Sequence, residues 1–196
     1  MIGAAITGGD VTVTGMQPDA VDTLLYKLSA CGCEVTKTAD SVRVRAKGRA
    51  RGVAFTETRP YPGFPTDLQP QLFSLLSVAD GNSVLVENVF ENRFRHAQEL
   101  KRMGATNRIL DRTAIITGVE RLHGAEVIAH DLRGGAALVL AGLSAEGETV
   151  IRHAERIERG YERMDSVIGA LGGSITRKEE SIGEEKERRR TGELPV

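Results

Sequence analysis

Aromatic residues are scarce in this sequence, and tryptophan is absent altogether. Phenylalanine, tyrosine and tryptophan together make up 4% of the chain. A platform on which nucleic-acid bases stack needs several aromatic rings, so this composition argues against one. The formal net charge of −1 gives no overall field that would attract nucleic acid or an anionic membrane. Any binding of an anion must therefore depend on locally placed arginine or lysine side chains, and we predict no nucleic-acid or membrane partner.

Cysteine is also rare, with Cys31 and Cys33 as its two examples. One residue separates them, which matches no CxxC metal or redox motif, and small unpaired cysteines suit a reducing cytosol. The N-terminal residues 1–9 carry no basic segment of the kind that begins a signal peptide. The longest apolar run, around 136–145, is far shorter than the ~20 residues of a membrane span. The sequence therefore predicts a cytoplasmic protein.

The familiar motifs of metal and nucleotide chemistry are missing as well. No lysine followed by serine or threonine comes after Gly134 and Gly135, so there is no P-loop. Neither a serine nor a cysteine nucleophile motif is present. The four histidines lack the spacing of metal ligands. These histidines are His96, His123, His130 and His153. We predict neither a metal site nor a cofactor.

Two stretches of the chain share one plan. The first, 61–103, contains a proline-rich loop, an apolar helix, a strand and a polar loop. The second, 128–171, repeats this order. The matching polar residues are Asp67 with Asp131 and Arg93 with Arg159. A repeated fold that carries an aspartate and an arginine at matching loop positions predicts a site built from both copies.

Periodicity along the whole chain predicts an α/β fold made of three copies of one unit. Each unit runs strand, helix, strand, helix, strand, strand, with a period of about 65 residues. The predicted units are approximately 1–50, 53–122 and 125–178. The first begins inside its first helix, so we expect a chain truncated at its N-terminus, and the last ends on a strand at Ser174–Arg177. We expect residues 1–178 to form one domain, and residues 179–196, which have few apolar side chains, to be a disordered tail.

Asp67 and Asp131 each allow two interpretations. Thr66 or Asp67 begins one predicted helix and Asp131 begins another, where such residues commonly accept hydrogen bonds from backbone N–H groups as N-caps. A carboxylate beside helix N-termini can also accept a hydrogen bond or a proton from a substrate hydroxyl. The residues alone leave both interpretations open.

Three arginines are candidates for binding an anion. They are Arg93, Arg133 and Arg159. A guanidinium group is a planar fork of donors that matches a carboxylate or phosphate, and helix N-termini nearby would add further donors. The alternative for each arginine is a solvated surface charge. Repetition at matching loop positions favours binding for Arg93 and Arg159.

Four longer motifs carry a resemblance to a known family. They are PYPGFPTDLQ, ENRFRHAQELKRMGA, AHDLRGGAALVLAGLSAEGETV and ERGYERMDSVIGALGG. Together they resemble the UDP-N-acetylglucosamine enolpyruvyl transferases, and the resemblance covers residues 2–177. It implies an inside-out α/β barrel of the EPSP synthase type, in which two domains of three repeats each enclose a cleft. The chain resembles one domain, roughly the C-terminal half. The N-terminal domain, and the N-terminal segment that this domain borrows in the family, have no counterpart in the sequence.

The resemblance also implies a reaction. The family transfers the enolpyruvyl group of phosphoenolpyruvate to the 3-hydroxyl of UDP-N-acetylglucosamine and releases phosphate, which is the first committed step of peptidoglycan synthesis. Asp67 matches the carboxylate that contacts the sugar hydroxyl and takes its proton, Asp131 matches an acid that faces the reacting carbons, and the backbone of Val89 matches a UDP-sugar contact. The matching cations are Arg133 and Arg159, near phosphoenolpyruvate, and Arg93, in the cleft.

The sequence departs from the family pattern wherever the other half of the cleft is needed. The family's Lys-Asn pair, its reactive cysteine on a mobile loop and the arginines of the other domain have no counterpart, and Cys31 and Cys33 lie in a different context. Orientation by a complete cleft can lower a barrier by ~7–11 kcal/mol, so we predict that the chain alone is inactive and binds substrate weakly. The alternatives are an enolpyruvyl transferase of the shikimate pathway and a non-catalytic domain that binds a nucleotide sugar or a partner protein.

Overall fold

The computed structural model describes residues 1–178. Their contacts divide the chain into two compact units, Met1–Glu162 and a second that begins at Arg163. The single domain expected over 1–178 stays a prediction. The predicted tail, 179–196, lies outside the described residues.

Three helices form the centre of the first unit. The helices of this unit are α1 (Ile2–Thr7), α2 (Asp22–Ala30), α3 (Gln69–Val78), α4 (Arg95–Arg102), α5 (Leu132–Ser144) and α6 (Glu155–Glu158). Among them, α1, α3 and α5 pack against one another. Every residue of α3 except Val78 is buried, as expected for a helix that neighbouring elements cover on all sides.

Three sheets lie against these central helices. The first consists of β1 (Asp10–Thr14), β2 (Glu34–Lys37) and β3 (Ser41–Arg45), antiparallel in the order β1–β3–β2. The second consists of β4 (Phe55–Glu57), β5 (Asn82–Val86), β6 (Thr106–Leu110) and β7 (Thr113–Thr117) in the order β4–β5–β7–β6, with β4 parallel to β5 and the other pairs antiparallel. The third pairs β8 (Glu126–Ile128) with β9 (Val150–Arg152) in parallel. Helix α1 packs on the first sheet, α3 on the second and α5 on the third, so the helices lie inside and the sheets outside.

The middle repeat follows the predicted order of elements in full. It runs β4, α3, β5, α4, β6, β7. The first repeat begins with α1, and the last contains β8, α5 and β9, followed by α7 (Met164–Ala170) in the second unit. The strand predicted at Ser174–Arg177 is wrong. A strand needs a hydrogen-bonded neighbour, and the part of the chain that the structure describes contains no later strand to pair with it.

Helices α3 and α5 approach each other closely. Ser74 in α3 donates a hydrogen bond of 2.8 Å to the backbone carbonyl of Ala137 in α5. On another side of α5, a Cβ atom at Gly135 would lie 2.6 Å from the side chain of Ile157 in α6, so a glycine is needed there although it costs ~1 kcal/mol inside a helix. The packing of α3 against α5 brings their first turns together, and side chains from the two N-terminal ends meet.

Candidate active site

Asp67 lies in a 3₁₀ turn, Thr66–Leu68, directly before α3. Its carboxylate binds two guanidinium groups: Oδ1 accepts a hydrogen bond from Arg93 at 3.3 Å, and Oδ2 accepts one from Arg133 at 2.8 Å. Arg93 comes from the loop after β5 and Arg133 from the first turn of α5, so two repeats contribute to the cluster. The Asp67 side chain is 51% exposed, which leaves the cluster open to solvent.

The N-cap interpretation of Thr66 and Asp67 is wrong. The residue that caps α3 is Leu68, and no side chain bonds to the first turn of this helix. Pro65 has an extended backbone, and the 3₁₀ turn separates it from α3. Because of this turn, the two polar side chains point elsewhere: Asp67 binds the arginines, and Thr66 donates a hydrogen bond of 2.9 Å to Glu87.

Aromatic rings support both arginines. The guanidinium carbon of Arg93 lies 5.3 Å from the centre of the Phe90 ring, and that of Arg133 lies 5.3 Å from the centre of the Tyr161 ring. The Tyr161 hydroxyl in turn accepts a hydrogen bond of 2.7 Å from Gln71 in α3. Partial burial would lower the pKa of Arg133, but the bonds with the carboxylate and the phenol outweigh it and raise that pKa. Both guanidinium groups are therefore held in position by a carboxylate and an aromatic ring, as an anion-binding site requires.

Asp131 is the N-cap of α5, as predicted. Its Oδ1 accepts hydrogen bonds from the backbone N–H groups of Arg133 at 3.0 Å and Gly134 at 2.8 Å. Oδ2 accepts no hydrogen bond from the described residues. The capping role and a role toward substrate are therefore compatible, because each can use a different oxygen.

A buried histidine lies next to the α5 cap. His96 is 2% exposed, and its ring meets the edge of Phe73 at a centre-to-centre distance of 5.0 Å. Burial lowers the pKa of His96 to about 4, although the negative charge of Asp131 acts in the opposite direction. The imidazole is therefore neutral at physiological pH and adds no positive charge to the site.

Val89 lies on the loop after β5 and is 39% exposed. Its backbone N–H donates a hydrogen bond of 2.8 Å to Glu87. Its carbonyl oxygen accepts no hydrogen bond within residues 1–178. Val89 can therefore offer a ligand an acceptor and not a donor.

Arg159 does not join the cluster. It is the residue after α6 and is exposed. In the part of the chain that the structure describes, it forms no hydrogen bond and no ion pair. Its neighbour Tyr161 is the residue of this loop that reaches the cluster, through Arg133 and Gln71.

A cavity of about 500 Å³ lies elsewhere, between α2 and β4. Its lining includes the side chains of Tyr26, Lys27, Phe55, Glu57 and Arg59. None of the predicted site residues, all of which the structure describes, belongs to it. The Asp67 cluster lies instead on an open surface.

Comparison with known proteins decides the family. The family model described as EPSP synthase (3-phosphoshikimate 1-carboxyvinyltransferase) matches residues 1–168. The chain belongs to the EPSP synthase family. The resemblance found in the sequence motifs is thereby confirmed.

Curated relatives within the EPSP synthase family carry the name UDP-N-acetylglucosamine 1-carboxyvinyltransferase. The protein of that name from Desulfofundulus thermocisternus is 51% identical over 177 residues, which are 90% of this chain and 72% of the relative. A second, from Caldanaerobacter subterraneus, is 46% identical over 174 residues, which are 89% of this chain and 42% of the relative. The chain spans about two fifths of the length of most of the curated relatives that it matches, for example 43% of one from Solibacter usitatus.

Solved structures of the family share the fold. The enolpyruvyl transferase NikO from Streptomyces tendae aligns with a TM-score of 0.81 at 28% identity, over 89% of this chain and 42% of that one. EPSP synthase from Acinetobacter baumannii aligns with a TM-score of 0.74 at 22% identity, over 91% of this chain and 45% of that one. The expected fold class, an inside-out α/β barrel domain, is confirmed. Among residues 1–178 no helix has the length and apolar character needed to cross a membrane.

Sequence reasoning missed two residues of this candidate site. Glu87 directly follows the apolar strand β5, and its position after alternating apolar residues was the one available signal that it turns inward. Tyr161 fits the apolar spacing of the next helix, but α7 begins only at Met164. Both residues act through contacts distant in sequence, which local patterns do not reveal.

Proposed function

We propose that this chain forms one wall of the active-site cleft of a UDP-N-acetylglucosamine 1-carboxyvinyltransferase. The complete enzyme would transfer the enolpyruvyl group of phosphoenolpyruvate to the 3-hydroxyl of UDP-N-acetylglucosamine and release phosphate. The observation that carries the proposal is the Asp67 carboxylate between Arg93 and Arg133. It occurs in a chain that is 46–51% identical to proteins of that name over about 90% of its length. A base beside paired cations suits the attack of a hydroxyl on an anionic substrate.

The proposed roles follow the positions of the side chains. Asp67 takes the proton of the sugar hydroxyl while the hydroxyl oxygen forms its bond to C2 of phosphoenolpyruvate. A proton adds to C3 of the enolpyruvyl group in the same phase, and the tetrahedral intermediate then loses phosphate together with a proton from that carbon. Asp131 faces these carbons with its uncommitted Oδ2, and the Val89 carbonyl accepts a hydrogen bond from the UDP-sugar.

The two arginines bound to Asp67 have a second role in this proposal. Arg93 and Arg133 are already held by Asp67, so an incoming phosphate or carboxylate competes with Asp67 for their donors. As the guanidiniums turn to the substrate, the carboxylate is released to meet the hydroxyl. Arg159, which is exposed and lies outside the cluster, would reach phosphoenolpyruvate only when both walls close on it.

The partner in this proposal is the N-terminal domain of the same enzyme. The chain spans 42% of the Caldanaerobacter relative, and the part of the relative that it does not cover would supply the opposite wall. The reaction would take place in the cytoplasm as the first committed step of peptidoglycan synthesis. Two free cysteines, Cys31 and Cys33, agree with that compartment.

Two alternatives remain to be tested against this proposal. The description of the family model favours the shikimate-pathway reaction, which the reconstituted enzyme would reveal by accepting shikimate 3-phosphate in place of UDP-N-acetylglucosamine. A non-catalytic domain that binds a nucleotide sugar or a protein would keep its binding after Asp67→Asn and show no turnover in any mixture. We favour the UDP-sugar reaction because the relatives named for it share about half of this sequence.

The test is phosphate release from phosphoenolpyruvate and UDP-N-acetylglucosamine. It is measured with this chain alone and then with the uncovered portion of the Caldanaerobacter relative added. We expect turnover only in the mixture, and loss of that turnover with Asp67→Asn. Asp111→Asn is the matched control, because Asp111 is exposed in the β6–β7 turn and its positive φ of 53° suits asparagine.

Each other outcome has a definite meaning. Turnover by the chain alone would contradict the proposal that it forms only one wall. No turnover in a mixture that is shown to associate would favour the non-catalytic domain. Equal losses in the two variants would remove Asp67 from its proposed role.

A further inference from the structure

Glu87 is a buried carboxylate at the end of β5, with 1% of its surface exposed. It accepts four hydrogen bonds. Its Oε1 accepts from the Thr58 hydroxyl at 2.8 Å and from the backbone N–H groups of Val89 at 2.8 Å and Phe90 at 3.1 Å. Its Oε2 accepts from the Thr66 hydroxyl at 2.9 Å. One side chain thus joins the segment after β4, the turn before α3 and the loop after β5.

Two of these bonds flank the Asp67 cluster directly. Thr66 is the residue before Asp67, so its bond to Glu87 fixes the turn from which Asp67 projects. Phe90 carries the ring that supports the Arg93 guanidinium, and its backbone N–H is bonded to the same carboxylate. Glu87 therefore bonds to a neighbour of each member of the Asp67–Arg93 pair without touching either of them.

Fold stability alone is a poor reason for a carboxylate at this position. Burial of a charge is costly, and hydrogen bonds such as those of Glu87 serve to offset that cost. Within the described residues no lysine or arginine pairs with Glu87, and its four donors are all neutral. Well-packed apolar side chains often replace buried charged groups without loss of stability. The specific effect of Glu87 is therefore to fix the arrangement of the three segments that it joins.

We propose that Glu87 is a positioning residue of the site: it sets the Val89–Phe90 loop and the Asp67 turn in the conformation that binds substrate. The identity of that substrate rests on the proposed function. The Val89 carbonyl shares a planar trans peptide unit with the Phe90 N–H, which points to Glu87, so this carbonyl points away from Glu87. There it recognises an N–H or O–H donor of the UDP-sugar. A donor on the ligand is therefore part of what this loop selects.

The test uses the full chain and three variants. Glu87→Ala removes all four acceptor interactions. Glu87→Gln keeps the shape and one oxygen acceptor but removes the charge. Ser83→Ala is the matched control, because Ser83 lies at the other end of β5 and its buried hydroxyl accepts a hydrogen bond of 2.9 Å from the Val53 N–H.

The first measurement is amide hydrogen exchange and nitrogen-15 NMR of the chain, below the temperature at which any variant unfolds. Loss of a hydrogen bond to a charged acceptor should speed exchange of the Val89 and Phe90 amides by about ten- to a hundred-fold in Glu87→Ala. The Arg93 Nε–H signal should shift as well. In Glu87→Gln the two amide signals should move because the charge is gone, while exchange stays within about ten-fold of the original chain. Ser83→Ala should leave all three signals unchanged.

Two results would overturn the proposal. One is a folded Glu87→Ala chain in which the Val89, Phe90 and Arg93 signals match those of the original. If Glu87→Ala does not fold, the other is a Glu87→Gln chain with unchanged Val89 and Phe90 signals. A general loss of stability would not mimic the expected pattern, since the Ser83→Ala control loses a buried hydrogen bond of the same strand.

A second measurement separates this proposal from the proposed function. UDP-N-acetylglucosamine is titrated into each chain while the Val89 signal is followed. We expect Glu87→Ala to weaken binding by about ten-fold or more and Glu87→Gln by less. A lack of binding even after the uncovered portion of the Caldanaerobacter relative is added would count against the proposed function, whereas the exchange data would still decide whether Glu87 sets the loop.

Discussion

Asp67 acts as an internal anion between the two arginines that the proposed function assigns to substrate binding. Its two oxygens each hold one guanidinium, at 2.8 Å for Arg133 and 3.3 Å for Arg93. Because the Asp67 side chain is half exposed, the ion pairs themselves add less than about 1 kcal/mol to stability. Their importance lies in the competition that they impose on any anionic ligand.

Replacement of Asp67 by asparagine should therefore strengthen anion binding while it removes the proposed base. We expect Asp67→Asn to bind inorganic phosphate or phosphoenolpyruvate about ten-fold more tightly, since two cations lose their internal partner. Calorimetric titration of the chain with each anion measures the effect, with Asp111→Asn as the control. Weaker anion binding by Asp67→Asn would show that the carboxylate helps to hold the arginines in place more than it competes for them.

His96 makes a different prediction, which concerns pH. Its pKa is about 4 in the folded chain, below the ordinary value of 6.5, because it is buried. The unfolded chain therefore binds a proton at a higher pH than the folded chain does. The stability is fully present above pH 6.5 and falls as the pH drops toward 4, by about 3 kcal/mol in total.

The measurement is the free energy of unfolding in denaturant between pH 7 and pH 4. His96→Phe should flatten the decline, because phenylalanine keeps an aromatic ring against Phe73 and has no proton to bind. His123→Phe, at an exposed position, is the control and should decline as the original chain does. Parallel curves for all three chains would mean that other groups cause the pH dependence.

At the scale of elements, the loop between α6 and α7 is tied to α3 by Tyr161. Its hydroxyl accepts a hydrogen bond of 2.7 Å from Gln71, whose side chain is almost fully buried. Tyr161→Phe should leave that amide without a partner and lower the free energy of unfolding by about 1–2 kcal/mol. Tyr26→Phe, at a site that is 70% exposed, should change it by less than about 0.5 kcal/mol. Equal effects in the two denaturant curves would show that the Gln71 bond is replaced by water.

The elements also show which features local sequence predicts and which it does not. The Asp131 cap was predictable because an N-cap bonds to residues two and three positions further along the chain. The roles of Thr66 and Asp67 were not, because a 3₁₀ turn redirects them to partners in other repeats. The apolar periodicity located most of the helices and strands, whereas Ser174–Arg177 failed because a strand depends on a partner that its own residues do not specify.

The candidate site likewise contains residues that the sequence identified and residues that it missed. Motif resemblance brought together Asp67, Arg93 and Arg133, and the structure has them in one cluster. It also named Arg159, which lies outside that cluster, and it omitted Glu87. Resemblance identifies residues that a family uses on its ligands, but a buried carboxylate that only holds loops in place leaves no comparable signal.

At the scale of the whole molecule, the sheets differ in how their edges are covered. In the second sheet, β4 pairs with the outer edge of β5. In the first sheet β1 takes the place of β5, and in the described part of the chain no strand pairs with the outer edge of β1. An uncovered edge offers unpaired N–H and C=O groups to another chain. The protein by itself should therefore self-associate as its concentration rises.

Light scattering over a range of concentrations measures this tendency. Thr14→Lys adds a charge at an exposed position of β1, opposite Ser41, and should reduce the average mass at high concentration because lysine on an edge strand opposes pairing. Thr106→Lys is the comparison. It places the same charge at an exposed position of β6, which is an edge strand of the second sheet. A constant monomeric mass for the original chain would contradict the prediction.

The Asp67–Arg133 contact has an evolutionary consequence. Its two members belong to different copies of one repeat, so neither copy can hold the pair without the other. An ancestor with a single repeat would have gained this pair only by assembling with its own copies, and duplication then allowed the copies to diverge while each kept its aspartate, Asp67 in one and Asp131 in the other. Positions 67, 93 and 133 should accordingly change together across descendants: a lineage that loses the aspartate should also lose one of the arginines.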